Sequence, residues 1–389
     1  MKSDFMYTPL DEIYDKELRR QASTVELIAS ENFVSPRVLK FLGSEFTSKY
    51  TEGYPGKRYY GGCEFYDALE TYCQGLWQDV FNTIYHVNVQ PHSGTSANLA
   101  AISAVVAPGE TILSMSLDAG GHLSHGARVS QVGKLYNIVN YGVNQDGWID
   151  YDKVKELAEE HHPRLIICGA SAYSREIDYV EFAKIARSVD AYLLADIAHV
   201  AGLIAANQHP TPFGYADIIT TTTQKTLRGP RGGLIFCIPD LAKKIDSAVF
   251  PGTQGGSLMN VIAAKAACAE EALEPEFMNY ISDVRYNAKA MAERFMYRGY
   301  NVITGGTDNH MFLVDLRGTG LTGIDVQNEL EKNGITLNKN AIPNDPLPPS
   351  KTSGIRIGTP AMTTRGWKMQ DFCECADDIC DILNEMRAN

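Results

Sequence analysis

The sequence predicts an α/β protein in which a mostly parallel central sheet is covered by helices, with a helical arm before it and a smaller α+β unit after it. Three observations carry this reading. Short β-rich runs alternate with amphipathic stretches from about residue 85 to 250. Residues 1–50 read as helical and then irregular, leading into the Gly- and Tyr-rich segment TEGYPGKRYYGG. After about residue 280 the pattern changes to one long helix, a strand, a second helix, a Pro-rich loop and a closing helix.

The N-terminal stretch contains LRRQASTVELIASENF and then the glycine-rich segment, which is long enough to be a functional loop. The β runs are TILSMS (111–116), RLIICG (164–169), AYLLAD (191–196), DIITTTT (217–223) and GGLIFCI (232–238). Between them lie helical patterns such as YDKVKELAEEHH and YVEFAKIARSV. Strands alternating with helices make a parallel sheet, and such sheets collect ligands at the carboxyl ends of their strands. The residues just after each run are therefore the candidates for chemistry. In the last third, ISDVRYNAKAMAERFMYRG reads as a helix, NHMFLVDLR as a strand, and 323–333 and 369–386 as helices. No internal repeat or low-complexity segment interrupts the chain.

Composition fits a soluble enzyme of two or three structural units: 389 residues, 44% hydrophobic and 21% charged. A formal net charge of −12 and the lack of a Lys/Arg-rich block argue against nucleic acid as a partner. Neither a signal peptide nor a membrane span is expected, so a cytoplasmic location without membrane partners is. Several of the eight cysteines lie inside apolar runs, where a reduced thiol behaves as a small hydrophobe. Cys373, Cys375 and Cys380 cluster, but with helical periodicity and no histidine nearby, and no metal is expected.

Three motifs carry chemistry. In PHSGTSAN, small residues precede the helical run LAAISAVVA, so Ser93, Gly94 and Thr95 either cradle a phosphate at a helix N-terminus or simply cap it. In LADIAHVAG, Asp196 ends an apolar strand and His199 lies three residues on. A carboxylate there needs a cationic partner, such as a protonated pyridine nitrogen or an arginine, unless it caps the next turn. In TTTTQKTLRGPRGG, Lys225 follows a β-branched run beside two arginines; it is either a surface lysine or an amine whose pKa is depressed for Schiff-base chemistry. Together, in this order along a parallel sheet, a phosphate cradle, a strand-end acid and an activated lysine are the handles that hold pyridoxal phosphate.

Nine segments extend the pattern: VELIASENF, SKYTEGYPGKRYYGG, QPHSGTSAN, GGHLSHG, GASAYSREID, DIAHVAGLIA, TTTTQKTLRGPRGG, FPGTQGG and TSGIRIGTPAMTTRG. In that order they resemble the serine hydroxymethyltransferase family, which has the aspartate-aminotransferase-like (fold type I) architecture. The resemblance implies pyridoxal 5'-phosphate as cofactor, tetrahydrofolate as cosubstrate, serine and glycine as substrates, and a homodimer with shared sites. Carried over by position, Lys225 would bind the cofactor covalently, Asp196 its ring nitrogen, and His122 would stack on the ring. Ser171 and His199 would contact the ring hydroxyl side. Ser93, Gly94, Thr95 and Thr222 would hold the phosphate, joined by Tyr50, Gly255 and Gly256 of a second copy. Arg356 would grip the substrate carboxylate with Ser30, while Glu52 and Tyr60 of the second copy would serve acid–base chemistry. Glu52, Tyr59, Leu117, Gly121, Leu123 and Asn340 would meet the folate. The implied organisation is an N-terminal arm and inter-subunit loop (1–60), a large cofactor-binding domain (61–278) and a small domain (279–389).

The chain departs from that pattern at Gln224, where the family usually has histidine, and at Ser350 and Lys351, where it commonly has an apolar aromatic and a small apolar residue. Ala341 also stands where a hydroxyl residue is frequent, and the chain is shorter than most members. The same lysine, acid and arginine would serve a folate-independent aldolase for β-hydroxy amino acids, an α-methylserine hydroxymethyltransferase, or a weakly catalytic homologue with a regulatory role.

Overall fold

A computed structural model describes residues 7–388; Met1 to Met6 of the expected arm, and Asn389, lie outside the described residues. Seven strands form the main sheet: β1 (His86–Asn88), β2 (Thr111–Met115), β3 (Asn137–Tyr141), β4 (Leu165–Cys168), β5 (Tyr192–Asp196), β6 (Ile218–Thr222) and β7 (Gly233–Cys237). Their spatial order is β3-β2-β4-β5-β6-β7-β1. The run β3-β2-β4-β5-β6 is parallel, whereas β7 is antiparallel to both β6 and β1.

Side chains in these strands alternate between two cores, as the two-residue period of a strand requires. Ile166, Cys168, Leu193, Ala195 and Ile219 belong to one core; Leu165, Ile167, Leu194 and Ile218 belong to the other. Both faces are therefore dry, which explains runs of continuous apolar residues in the sequence. The helix Gly94–Val105 seals the second face through Ala97, Ala100, Ala101 and Ile102, and Met259–Ala272 covers the first.

A four-stranded antiparallel sheet, Asn301–Val302, Met311–Asp315, Gly354–Gly358 and Asn338–Asn340 in spatial order, packs with the helix Met369–Ala388 around a separate core. Cys375 and Cys380 pack inside that core. The helix Pro275–Tyr297 serves both regions, placing Phe277, Ile281 and Val284 in the large core and Met291, Ala292 and Phe295 in the small one. The early segment Val25–Glu26 pairs in parallel with Ile335–Thr336, and Leu27 enters the small core. Residues of the N-terminal third are thus built into the C-terminal unit through a separate two-stranded sheet. No helix among the described residues is long and apolar enough to cross a membrane.

The segment TEGYPGKRYYGG is held by a buried arginine. Arg58 donates to the carbonyls of Thr51 and Gly53, both at 2.8 Å, pairs with Asp67 at 2.7 Å, and meets the fully buried Glu70 at 2.5 Å. Gln90 donates to Glu70 and to the Gly53 carbonyl, tying this loop to the residues that follow β1.

Where β4 and β5 end side by side, Gly169 has φ +132°, and a Cβ there would lie 2.2 Å from the Asp196 carbonyl oxygen. Only glycine satisfies both constraints. Gly169→Ala is expected to cost about 3 kcal/mol, visible as a lower thermal midpoint in circular dichroism; an unchanged midpoint would contradict this account of the strand ends.

Candidate active site

The carboxyl ends of the parallel strands open onto a cavity of about 380 Å³. Each wall follows from where a strand stops. Asp196 is the last residue of β5, Thr222 the last of β6 with Lys225 three residues on, and Ser171 follows β4. Ser93 caps the helix after β1, His122 lies in the loop after β2, and Arg356 reaches in from the centre of the small sheet. Ser30, Ser93, Gly94, Thr95, His122, Ser171, Asp196, His199, Thr222, Lys225 and Arg356, all singled out from sequence, line this one space.

At the phosphate-like end, the Ser93 hydroxyl accepts from the Ser96 amide at 3.1 Å, so it does act as an N-cap. The amides of Gly94 and Thr95 donate to no acceptor among the described residues, leaving two aligned donors at the positive end of a twelve-residue helix. A Cβ on Gly94 would come 2.5 Å from the Thr222 methyl group, so glycine is what lets these two walls meet. Capping and anion binding are compatible here.

Asp196 is almost fully buried and heavily bonded. Its Oδ2 accepts from Asn98 Nδ2 and His125 Nε2, both at 2.8 Å, and its Oδ1 accepts from the Ala198 amide at 3.0 Å. Burial alone would raise this carboxyl; the hydrogen bond from His125, with a smaller one from Asn98, outweighs it and holds the group well below the usual carboxylate range. Thr220 donates to Asn98 Oδ1 at 2.6 Å, which turns the amide so that its NH2 faces the acid.

Lys225 is buried, with a pKa pushed down to about 8 by desolvation; Asp196 opposes the shift, and Arg356 and Arg231 add to it. The amine is thus far closer to its neutral, nucleophilic form at physiological pH than an exposed lysine. Asn32 donates to the Lys225 carbonyl at 2.9 Å and fixes the backbone beneath it. Gln224 turns its Oε1 toward the Gly232 amide at 3.4 Å.

Arg356 is 8% exposed and has no carboxylate within 4 Å among the described residues. It donates to the Ser171 carbonyl at 2.6 Å and to Asn338 Oδ1 at 3.1 Å, leaving Nη2 free. Burial lowers its pKa, but a guanidinium remains charged at neutral pH. His122 accepts from the Ser124 amide through Nδ1, and burial, against the pull of Asp196, takes its pKa down to about 4, leaving a neutral ring. His199 is likewise held neutral by burial and by Lys225 and Arg356; its Nδ1 lies 3.2 Å from Nε2 of His310.

The remaining predicted residues do not enter the cavity. Tyr50, Glu52, Tyr60, Gly255 and Gly256 gather elsewhere: a Cβ on Gly256 would lie 3.4 Å from Glu52 Cγ and 3.5 Å from the Tyr50 ring, and the Tyr50 and Tyr60 rings are 5.5 Å apart. Tyr59 stacks edge-on with Phe250 beside them. Leu117 and Leu123 are exposed, Gly121 is packed against the Met115 carbonyl, and Asn340 is half-buried on the strand edge beyond Arg356. Leu117 borders a second cavity that shares His122 and His125 with the first.

Sequence reasoning missed Asn98, Glu31 and Arg231 as lining residues and His125 as a partner of Asp196. Asn98 lies one helical turn beyond Gly94, a spacing that puts it on the same face. His125 carries no comparable signal, because its partner is 71 residues away.

A family model described as serine hydroxymethyltransferase matches residues 6–379. Among curated proteins, the serine hydroxymethyltransferases of Halorhodospira halophila and Chromohalobacter salexigens are each 55% identical, covering 96% of this chain and 90% and 89% of their own lengths. That of Nitrosococcus oceani is 54% identical over 97% of this chain and 91% of its own length. With these matches running through every wall of the cavity, the chain belongs to the serine hydroxymethyltransferase family.

Proposed function

We propose that the protein transfers the hydroxymethyl group of L-serine to tetrahydrofolate, reversibly, giving glycine and 5,10-methylenetetrahydrofolate, with pyridoxal 5'-phosphate as cofactor. The observation that carries this reading is the buried guanidinium of Arg356, without a carboxylate of its own, facing the same cavity as Lys225 and Asp196. A buried charge in that state calls for a carboxylate ligand.

The residues fit the cofactor. The free amides of Gly94 and Thr95, with Ser93 and Thr222, would hold its phosphate; Asp196 would hold its ring nitrogen; His122 would lie on its ring; Ser171 and His199 would face its hydroxyl side. When bound, pyridoxal phosphate supplies an electron sink for the pair released as a bond to the amino acid's α-carbon breaks. The chain's own groups do the rest. Asp196, kept ionised by His125 and Asn98, would keep a proton on the ring nitrogen. Lys225 presents an amine with a depressed pKa, the group that would hold the cofactor. Arg356 and Ser30 fix the substrate carboxylate, which limits rotation about the α-carbon.

Tyr50, Glu52, Tyr60, Gly255 and Gly256 would complete the cavity of a second copy, with Glu52 moving a proton at the serine hydroxyl. Their clustering away from their own Lys225 supports a homodimer, as do the exposed Leu10, Ile13, Tyr14 and Leu18 on the helix Pro9–Ser23, which buries none of its residues. Exposed Leu117, Leu123 and Tyr59, with Gly121 and Asn340, are offered as the folate-side surface. A division at 60 and 278 would assign the arm, the cofactor-binding region and the small unit, with the second boundary falling inside the helix Pro275–Tyr297 that packs in both cores. Eight free cysteines, seven of them buried, support a reducing, cytoplasmic setting.

Serine cleavage should depend on tetrahydrofolate, and a rate indifferent to it would overturn the transferase reading. Borohydride should fix the cofactor to Lys225, with no fixation in Lys225→Ala, as read by peptide mass. Because the amine is protonated below about 8 and free above it, cofactor capture by the apoprotein should accelerate as pH rises through that value; a flat profile from pH 6 to 9 contradicts the assignment. Arg356→Ala should raise KM for serine on the order of a hundredfold, with Arg356→Lys failing to restore it because a lysine lacks the planar fork.

A further inference from the structure

Lys265 lies in the helix Met259–Ala272, is 1% exposed, and belongs to no ion pair within 4 Å among the described residues. Its Nζ instead donates to three backbone carbonyls: Val89 at 2.7 Å, Gly233 at 2.8 Å and Pro91 at 3.0 Å. An ammonium has three donors and no acceptor, so the group is fully satisfied by this triangle. Burial lowers its pKa to about 8, with Cys73 and Glu70 opposing, while the three carbonyls favour the charged form. Placing a charge there is costly unless every donor is used, and the helix has no need of a lysine for its own stability.

The three carbonyls belong to the two segments that shape the anion end of the cavity. Val89 and Pro91 lead from β1 into Ser93, and Gly233 begins β7. The Gly233 amide also donates to the Pro91 carbonyl, and a Cβ on Gly233 would come 2.3 Å from the Ser93 carbonyl oxygen. On the other side, a Cβ on Gly232 would lie 2.4 Å from Cε of Lys265. The glycine pair thus admits the lysine stem on one side and the Ser93 turn on the other. Gln254 adds a neutral tie from Nε2 to the Gln90 carbonyl at 2.8 Å, but nothing else gathers the Val89 carbonyl.

We propose that Lys265 is a positioning residue for the cofactor's phosphate: from behind the loop, its ammonium clamps Val89, Pro91 and Gly233 so that the Gly94 and Thr95 amides stay aimed into the cavity. This rests on the reading of Ser93–Thr95 as the phosphate loop. A residue that merely stabilised the fold would affect cofactors with and without a phosphate alike. The three carbonyls that Lys265 gathers flank the Ser93 turn, so its loss should be felt first at the phosphate end.

The test compares binding of pyridoxal phosphate and of pyridoxal, which lacks the phosphate, to the full chain by absorbance and fluorescence titration. Lys265→Met removes the ammonium, and Gly232→Ala pushes the lysine stem off its carbonyls while keeping the charge. Both variants should weaken pyridoxal phosphate on the order of tenfold, with pyridoxal within about twofold of wild type. Equal weakening of both ligands, or of neither, overturns the proposal. Should Lys265→Met fail to fold by circular dichroism, Gly232→Ala decides alone. A wild-type chain that bound no pyridoxal phosphate would refute the cofactor reading instead, so the two failures are distinct.

Discussion

The arrangement around the cavity turns on the buried carboxylate of Asp196. It sits where β5 ends between dry cores, and it cannot remain ionised there without donors. His125, Asn98 and the Ala198 amide supply them, each from a different element: the loop after β2, the first helix after β1, and the turn after β5 itself. Thr220 on β6 then orients Asn98. Four structural elements are thereby locked in register by one charge. The close approach of Gly169 to the Asp196 backbone brings β4 into the same knot.

Charge distribution explains what such a cavity selects. Lys225, Arg356 and Arg231 face Asp196, and the two free amides at the helix N-terminus add a positive end. Three cationic side chains and two free amides outweigh Asp196 and Glu31 here, a local anion trap in a chain whose formal net charge is −12. The two strongest anion sites, the Gly94–Thr95 amides and Arg356, come from different sheets, so a ligand bearing both a phosphate and a carboxylate function would bridge the large and small units. Arg356 already spans that seam through the Ser171 carbonyl.

Much of this was legible before any coordinates. The β runs at 111–116, 164–169, 191–196, 217–223 and 232–238 all contain strands, and Lys225, Asp196 and Arg356 stood out by type and context. Direction was not legible: GGLIFCI is apolar throughout, and a strand buried on both faces reads identically whether it runs with its neighbours or against them. Its antiparallel course follows from the pairing of β7 with β6 and β1. Pairing across distance was equally hidden, as in Val25–Glu26 with Ile335–Thr336, or His125 with Asp196. Lys265 was silent for a related reason. In NVIAAKAACAEEA a lone lysine looks like a solvated helix residue, and only the three carbonyls converging on it reveal otherwise.

Gln224 shows how the local framework bears on a departure from the family pattern. Its amide oxygen points at the Gly232 amide, next to the glycine that admits the Lys265 stem. An amide has no proton to gain or lose between pH 5 and 8, whereas an imidazole in that range titrates. The depressed pKa of Lys225 comes first from burial, with Arg356 and Arg231 adding to it and Asp196 opposing. Glutamine at 224 therefore adds no titrating group beside the amine. The amide cannot stack as an imidazole would, but it keeps a hydrogen bond from the Gly232 amide at 3.4 Å.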